Sequence, residues 1–335
     1  MTKEAFMQGK IPDKEIRNIV TMEALSSTEH FAKEGCEPQR VLRDIYLCIE
    51  RAQVWGITAR SGYEIRLLLE IMGNIRPYDG GKCVLIERGM MRRKRVIQPH
   101  VFYISETDML YGNMNVLEYL MFATAGLRED RLSMQEELFE MLIRIGLGYM
   151  SLSAIRWLSV EEKAVVALIA AAYSGSRMVI MSLPESVFDE RLSGAIAKAA
   201  EQITQRGNTL IIGTRDYSLV QKACSHTAFI ADGHMLYAGT VDHLRQEYDK
   251  VAVIITDPDI NGIRQELAPA LHGCVLTEKD GSLLITPPDN YPPRHIYEKI
   301  VEVGTIPLSL RINEKTVGNA YEELMRQHDL SEQLF

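Results

Sequence analysis

Paired cysteines, long apolar runs and an excess of base are all missing from this chain of 335 residues. Its five cysteines, Cys36, Cys48, Cys83, Cys224 and Cys274, are scattered without CxxC spacing. That excludes a disulfide frame or zinc knuckle and fits reduced thiols in a cytosolic protein. The longest apolar stretch, Ala164 to Tyr173, is ten residues, short of the roughly 20 that a membrane-crossing helix needs. The opening MTKEAFMQGKIPDKE is polar and mixed in charge, so it reads as no signal peptide. Membrane contact is therefore expected through a partner, without direct insertion. A net charge of −8 and a pI near 5.6 argue against nucleic acid as a partner, because nucleic-acid domains are usually basic. The one basic cluster, Arg92-Arg93-Lys94-Arg95, reads as a solvated turn. The eight histidines form no HxxxH pair. His295 and Glu298 share an expected helix face but have no third ligand, so no metal site is expected. One more absence bears most heavily on the chain's chemistry: no lysine occurs between Lys33 and Lys82.

The apolar fraction of 46% is ample for a core, and the length suits one large domain and a smaller one. The chain is organised around Val41 to Gly73. A β-rich run is expected to end near Ile57-Thr58, followed by a short loop from Ala59 to Glu64 and a helix over Ile65 to Met72. Strand, tight loop and helix N-terminus form the layout of a phosphate-binding loop. The motif GxxxxGK[ST], laid on without a gap, puts its four fixed positions on Ala59, Glu64, Ile65 and Arg66. With no lysine nearby, no shift of alignment restores it.

Residues 1–18 are expected to be an extension. Ile19–Ala24 and Val41–Val54 alternate as an antiparallel edge sheet should. Ile75-Arg76-Pro77-Tyr78-Asp79-Gly80-Gly81 is a turn, and Cys83–Ile86 and His100–Ile104 are short strands. Asn115–Ala125, Ser133–Ile145 and Ser159–Tyr173 read as helices, the last two opened by capping boxes, Ser133 with Glu136 and Ser159 with Glu162. Met178–Met181 and Thr209–Gly213 are buried parallel strands by their unbroken apolar runs. Leu192–Gln205 is helical, and Thr227–Ile230 with His234–Tyr237 form a hairpin about Ala231-Asp232-Gly233. From Val251 the order β-α-β-β-α-β predicts a ferredoxin-like unit with a final helix over Val317–His328.

Order and spacing together resemble the ATP-binding-cassette (ABC) transporter nucleotide-binding subunit over nearly the full length. Val41–Ile45 looks like the family's strand ahead of the phosphate loop, and Ile75–Gly81 resembles its "LRPDSG" turn. Trp157-Leu158-Ser159 opens a segment resembling the LSGGQ signature. From there the family pattern runs without a gap to Pro184, which fits the DEP triplet. Ser186-Val187-Phe188-Asp189 resembles the SALD loop, and Gly207-Asn208-Thr209 and Ala231–His234 fit the last core landmarks. The C-terminal unit is similar to the extension of ABC-2-type export ATPases. The resemblance implies a P-loop NTPase-like α/β cassette over 19–248, with a mixed core sheet, an antiparallel edge sheet and a helical subdomain near 107–172. A ferredoxin-like accessory domain is expected over 249–335.

Each catalytic position departs from the family's pattern. Across the degenerate loop Ala59, Arg60, Ser61, Gly62, Tyr63, Glu64, Ile65 and Arg66, the lysine that meets the β/γ-phosphates and the hydroxyl that meets Mg²⁺ become Ile65 and Arg66. The Q-loop glutamine corresponds to Glu106, the Walker B aspartate to Ser182, the general-base glutamate to Leu183 and the switch histidine to Arg215. The signature glycines correspond to Val160 and Glu161, beside Ser159 and Glu162. Asp189 survives and also suits a helix start. Phe31 falls where the family stacks adenine, or it is a core residue. Hydrogen bonds to charged groups contribute roughly 1.5–3 kcal/mol each. Losing three such contacts removes about 5–8 kcal/mol, roughly 10⁴- to 10⁶-fold in affinity. Bound ATP and Mg²⁺ are therefore expected to be weak or absent, and no catalytic residue is expected.

The first reading is a non-catalytic cassette that docks on a membrane permease and pairs with a second cassette, identical or different, at the cytoplasmic face of the membrane. The resemblance places the permease-docking segment at Met109, Leu110 and Tyr111. A second reading keeps ATPase activity, with Arg60 or Arg66 gripping phosphate. A third is a free regulatory protein acting through residues 250–330. The loop decides between the first two: amides converging on an open anion site favour an ATPase, whereas Tyr63 or Glu64 filling that position favours an inert cassette.

Overall fold

The computed structural model describes residues 17–29, 39–86, 88–89, 97–106, 110–125, 131–288 and 291–332. Two compact units divide at Val241/Asp242, seven residues before the 248/249 boundary expected from sequence. Phe31 and Met109 lie outside the described residues.

The N-terminal unit opens with β1 (Asn18–Glu29) and β2 (Gln39–Glu50), an antiparallel pair. Val41–Val54 is not one strand as expected. Residues Arg51 and Ala52 turn, with Ala52 left-handed at φ 60°, and its amide donates to Thr209 Oγ1 at 3.1 Å. The chain then enters a second sheet as β3 (Val54–Ala59), buried at every position. Next come α1 (Gly62–Met72), β4 (Gly80–Leu85), β5 (Arg88–Gly89) and β6 (Val101–Ser105). Helices α2 (Val116–Thr124), α3 (Arg131–Arg144) and α4 (Val160–Tyr173) follow. Asn115 with Glu118 caps α2. Helix α3 already runs at Arg131, so Ser133 lies inside it and does not open it.

Strand β7 (Met178–Ser182), α5 (Glu190–Gln205), β8 (Thr209–Gly213), α6 (Tyr217–Ala223), β9 (His226–Ala231) and β10 (His234–Thr240) complete the unit. Helix α6 and α7 (Val241–Tyr248), which spans the division, were not expected. The six-stranded core sheet runs β10-β9-β3-β8-β7-β6, parallel except for the β9–β10 hairpin. Full burial of β3, β7 and β8 explains their unbroken apolar sequence. The antiparallel sheet is ordered β2-β1-β4-β5.

Helix α1 buries Ile65, Leu68, Leu69, Ile71 and Met72 completely, at roughly 1.5–3 kcal/mol per side chain. Its approach to β8 needs Gly213: a Cβ there would lie 2.2 Å from Leu69 Cδ1 and 2.6 Å from Ile65 Cγ2. The start of α1 is thereby fixed at the carboxyl end of β3, where open α/β sheets bind their ligands.

The C-terminal unit carries β11 (Val253–Thr256), α8 (Ile260–Leu267), β12 (Val275–Lys279), β13 (Ser282–Thr286), α9 (Pro293–Val303), β14 (Ser309–Ile312) and α10 (Val317–Glu332). Its sheet is antiparallel throughout in the order β12-β13-β11-β14. That is the interleaved arrangement of a β-α-β-β-α-β unit. Val253, Ile255, Leu283 and Ile285 pack with Ile260, Ile263, Ile296 and Ile300 in its core.

Candidate functional site

The connection from β3 to α1 is two residues, Arg60 and Ser61. The expected loop from Ala59 to Glu64 is shorter because the helix starts at Gly62, three residues before Ile65. The local cause is a capping box. Ser61 Oγ accepts from the Tyr63 amide at 3.2 Å, and Glu64 Oε2 accepts from the Ser61 amide at 3.1 Å. Reciprocal satisfaction of N-terminal donors stops the helix there.

Glu64 does more than cap. It is 6% exposed, and its Oε1 accepts from the Gly233 amide at 2.7 Å. Burial pushes its carboxyl above the usual range, against the pull of the Gly233 and Ser61 amides, while Asp232 pushes the same way and Arg60 opposes. Of Tyr63 and Glu64, only Glu64 is turned onto backbone amides, those of Ser61 and Gly233. The Tyr63 hydroxyl accepts instead from Arg76 at 3.4 Å.

Ile65, at the motif's lysine position, is a core side chain with no exposure. Arg66 Nη2 lies 3.2 Å from Glu106 Oε2, and Arg60 Nη1 lies 3.3 Å from Asp232 Oδ2. Arg215 Nη1 lies 3.2 Å from Glu185 Oε2. The Glu185 Oε1 sits 2.0 Å from where a Cβ on Gly62 would be, so this carboxylate covers the first residue of α1. Three arginines that could attract phosphate are thus each paired with an acid from another segment. These half-exposed pairs contribute little to stability, but each neutralises a cation.

Ser182 is buried and hydrogen-bonded to the Tyr103 hydroxyl. Leu183 is fully buried, with its amide on Gly213 O at 3.0 Å. Ser159 and Glu162 form the expected capping box, at 3.1 and 3.0 Å. Val160 is exposed. Partial burial raises the Glu161 carboxyl, but hydrogen bonds from its own amide, Ser186 and Ser159 outweigh it and hold the group below the usual range. Asp189 caps α5, accepting from Leu192 N at 2.7 Å. Arg191 stands 3.7 Å from Glu162 and 3.9 Å from Asp189, joining the two helix starts.

Leu110 lines a cleft of about 190 Å³ with Ile104, Glu106, Tyr119 and Val160. Tyr111 is 57% exposed and meets Phe122 edge-on at 5.2 Å. Among the described residues no group of three or more His, Cys, Asp or Glu is placed to hold a metal ion, and no helix is long and apolar enough to cross a membrane.

Sequence reasoning missed Glu185, Tyr103, Asp232 and Gly233. Glu185 follows Pro184 directly, so an acid next to the triplet was a usable signal. The Asp232-Gly233 turn was legible only as a turn.

No protein-family model matches the chain. It is 24% identical over 209 residues to a methionine import ATP-binding protein, MetN, of Wolinella succinogenes, covering 61% of this chain and 69% of that protein. It is 24% identical over 206 residues to the glutamine transport ATP-binding protein GlnQ of Escherichia coli K12, covering 60% and 86%. Among solved structures it resembles cbiO1 of Clostridium perfringens, part of the ABC transporter complex cbiONQ. The TM-score is 0.57 and the identity 17%, over 76% of this chain and 97% of that one. A dimeric ATP-binding cassette bound to ADP and phosphate matches at TM-score 0.54 and 15% identity, covering 66% and 98%. At these identities the structural likeness establishes a cassette fold.

Proposed function

We propose that this chain, similar in sequence to ATP-binding subunits of transporters and in fold to solved ATP-binding cassettes, is a cassette that no longer grips or hydrolyses ATP. One observation carries the reading: the two-residue connection between β3 and α1, with the Glu64 carboxylate taking the amides of Ser61 and Gly233. A phosphate-binding loop keeps such amides for the ligand.

The residues present do not fit Mg²⁺, which takes oxygen ligands in near-octahedral geometry. The position of the metal-binding hydroxyl carries a cation, Arg66, and that of the metal-binding carboxylate carries Ser182, already engaged with Tyr103. Leu183 offers no group to accept a proton from water. The arginines of the alternative ATPase reading are paired with Asp232 and Glu106, which weakens their pull on phosphate.

The chain acts as a structural or regulatory subunit, docked on a permease at the cytoplasmic face and paired with a second cassette. Two named relatives serve transport and one solved relative is a dimer. Exposed Tyr111 and Phe122, beside the cleft lined by Leu110, suit a docking surface, because interfaces favour aromatics. The β-α-β-β-α-β unit supports assigning it to the exporter branch, whose C-terminal extension it resembles. Steady-state phosphate release by the purified chain tests the loss of hydrolysis. No Mg²⁺-dependent turnover is expected; turnover abolished by Arg60→Ala or Arg66→Ala overturns it.

A further inference from the structure

We propose that Glu64 is the specificity determinant of the β3–α1 loop: its carboxylate is a built-in anion that occupies the loop's anion position and excludes inorganic phosphate. This rests on the reading of the cassette as one that does not grip nucleotide.

Helix capping alone does not account for the geometry. A capping box needs only the Ser61 amide. The shorter bond, 2.7 Å, comes from Gly233, 169 residues along the chain. Two amides from separate segments therefore converge on one side chain that is 6% exposed. Convergent backbone amides at a helix start are an anion-binding arrangement, and here the anion is covalently attached. Its cover is also supplied by the chain, since Glu185 lies over Gly62 and is paired with Arg215. The connection is anchored on the other side by the Arg60 amide on Ile230 O at 3.0 Å.

The test uses the full chain, amide hydrogen exchange at Ser61 and Gly233, and Tm, with inorganic phosphate compared with chloride at equal ionic strength. Wild type is expected to be unchanged by phosphate. In Glu64→Ala both amides exchange at least about tenfold faster. Phosphate then restores their protection and raises Tm by about 2–4 °C at roughly ten times its Kd. In Glu64→Gln the position stays filled, but a carboxamide has one acceptor oxygen for two amides. One amide therefore loses protection, and phosphate does not rescue it.

Phosphate protection of wild type, or failure of phosphate to reprotect Glu64→Ala, overturns the proposal. If Glu64→Ala does not fold, Glu64→Gln decides alone, and two protected amides or a phosphate rescue overturns it. Mg²⁺-ATP binding by wild type is a separate measurement. Failure of the phosphate rescue with no ATP binding removes this inference and leaves the functional reading standing.

Discussion

Glu64 Oε1 lies 2.7 Å from the Gly233 amide nitrogen, tying the first turn of α1 to the β9–β10 turn. Gly233 is itself held close to β2, whose Arg43 amide donates to Gly233 O at 2.8 Å. A Cβ on Gly233 would come within 2.6 Å of Val41 O, and its φ of 84° is left-handed. The carboxylate thus meets an amide whose position the backbone fixes.

This contact has a pH signature. Burial raises the Glu64 carboxyl above the usual glutamate range. A group whose folded pKa is raised contributes stability that is full below the unfolded pKa and lost as pH rises through the folded one. Glu64→Gln lacks that contribution. The stability difference, measured by urea unfolding, is expected to shift in favour of wild type as pH falls from about 8 towards the unfolded glutamate pKa of about 4.3. A difference independent of pH contradicts the burial of a charge at this position.

Thr58 is buried in β3, and its hydroxyl has no hydrogen-bond partner among the described residues. Leaving such a group unsatisfied costs about 1–3 kcal/mol. Valine has the same branched shape, so Thr58→Val is expected to raise stability by about 1 kcal/mol, seen as a higher urea midpoint at unchanged slope. A lower midpoint indicates a partner for the hydroxyl.

Ser159 and Asp189 act as helix caps. Each change to alanine is expected to cost about 0.5–2 kcal/mol, whereas asparagine at either position recovers most of it. Equal losses for alanine and asparagine in urea unfolding contradict a capping role.

The fold was largely legible where side-chain period or continuity is unambiguous. Thr209–Gly213 falls where its apolar run placed it, and the elements of the C-terminal unit start and end within a few residues of their signals. Helices α6 and α7 were missed because each is only about two turns long, too short for a helical period to show in the sequence. The site was less legible. Motif spacing drew the helix start to Ile65, although Ser61 and Glu64 already carried the capping-box spacing that fixes it at Gly62. The partners Gly233, Asp232 and Glu185 come from distant segments, and no local pattern pairs them with Glu64, Arg60 and Arg215.

Calorimetric titration of the purified wild-type chain with Mg²⁺-ATP tests the central claim most directly. No saturable binding tighter than about millimolar is predicted, because the proposed loss of the loop and metal contacts would weaken a micromolar site by several decades. Saturable binding in the micromolar range contradicts it.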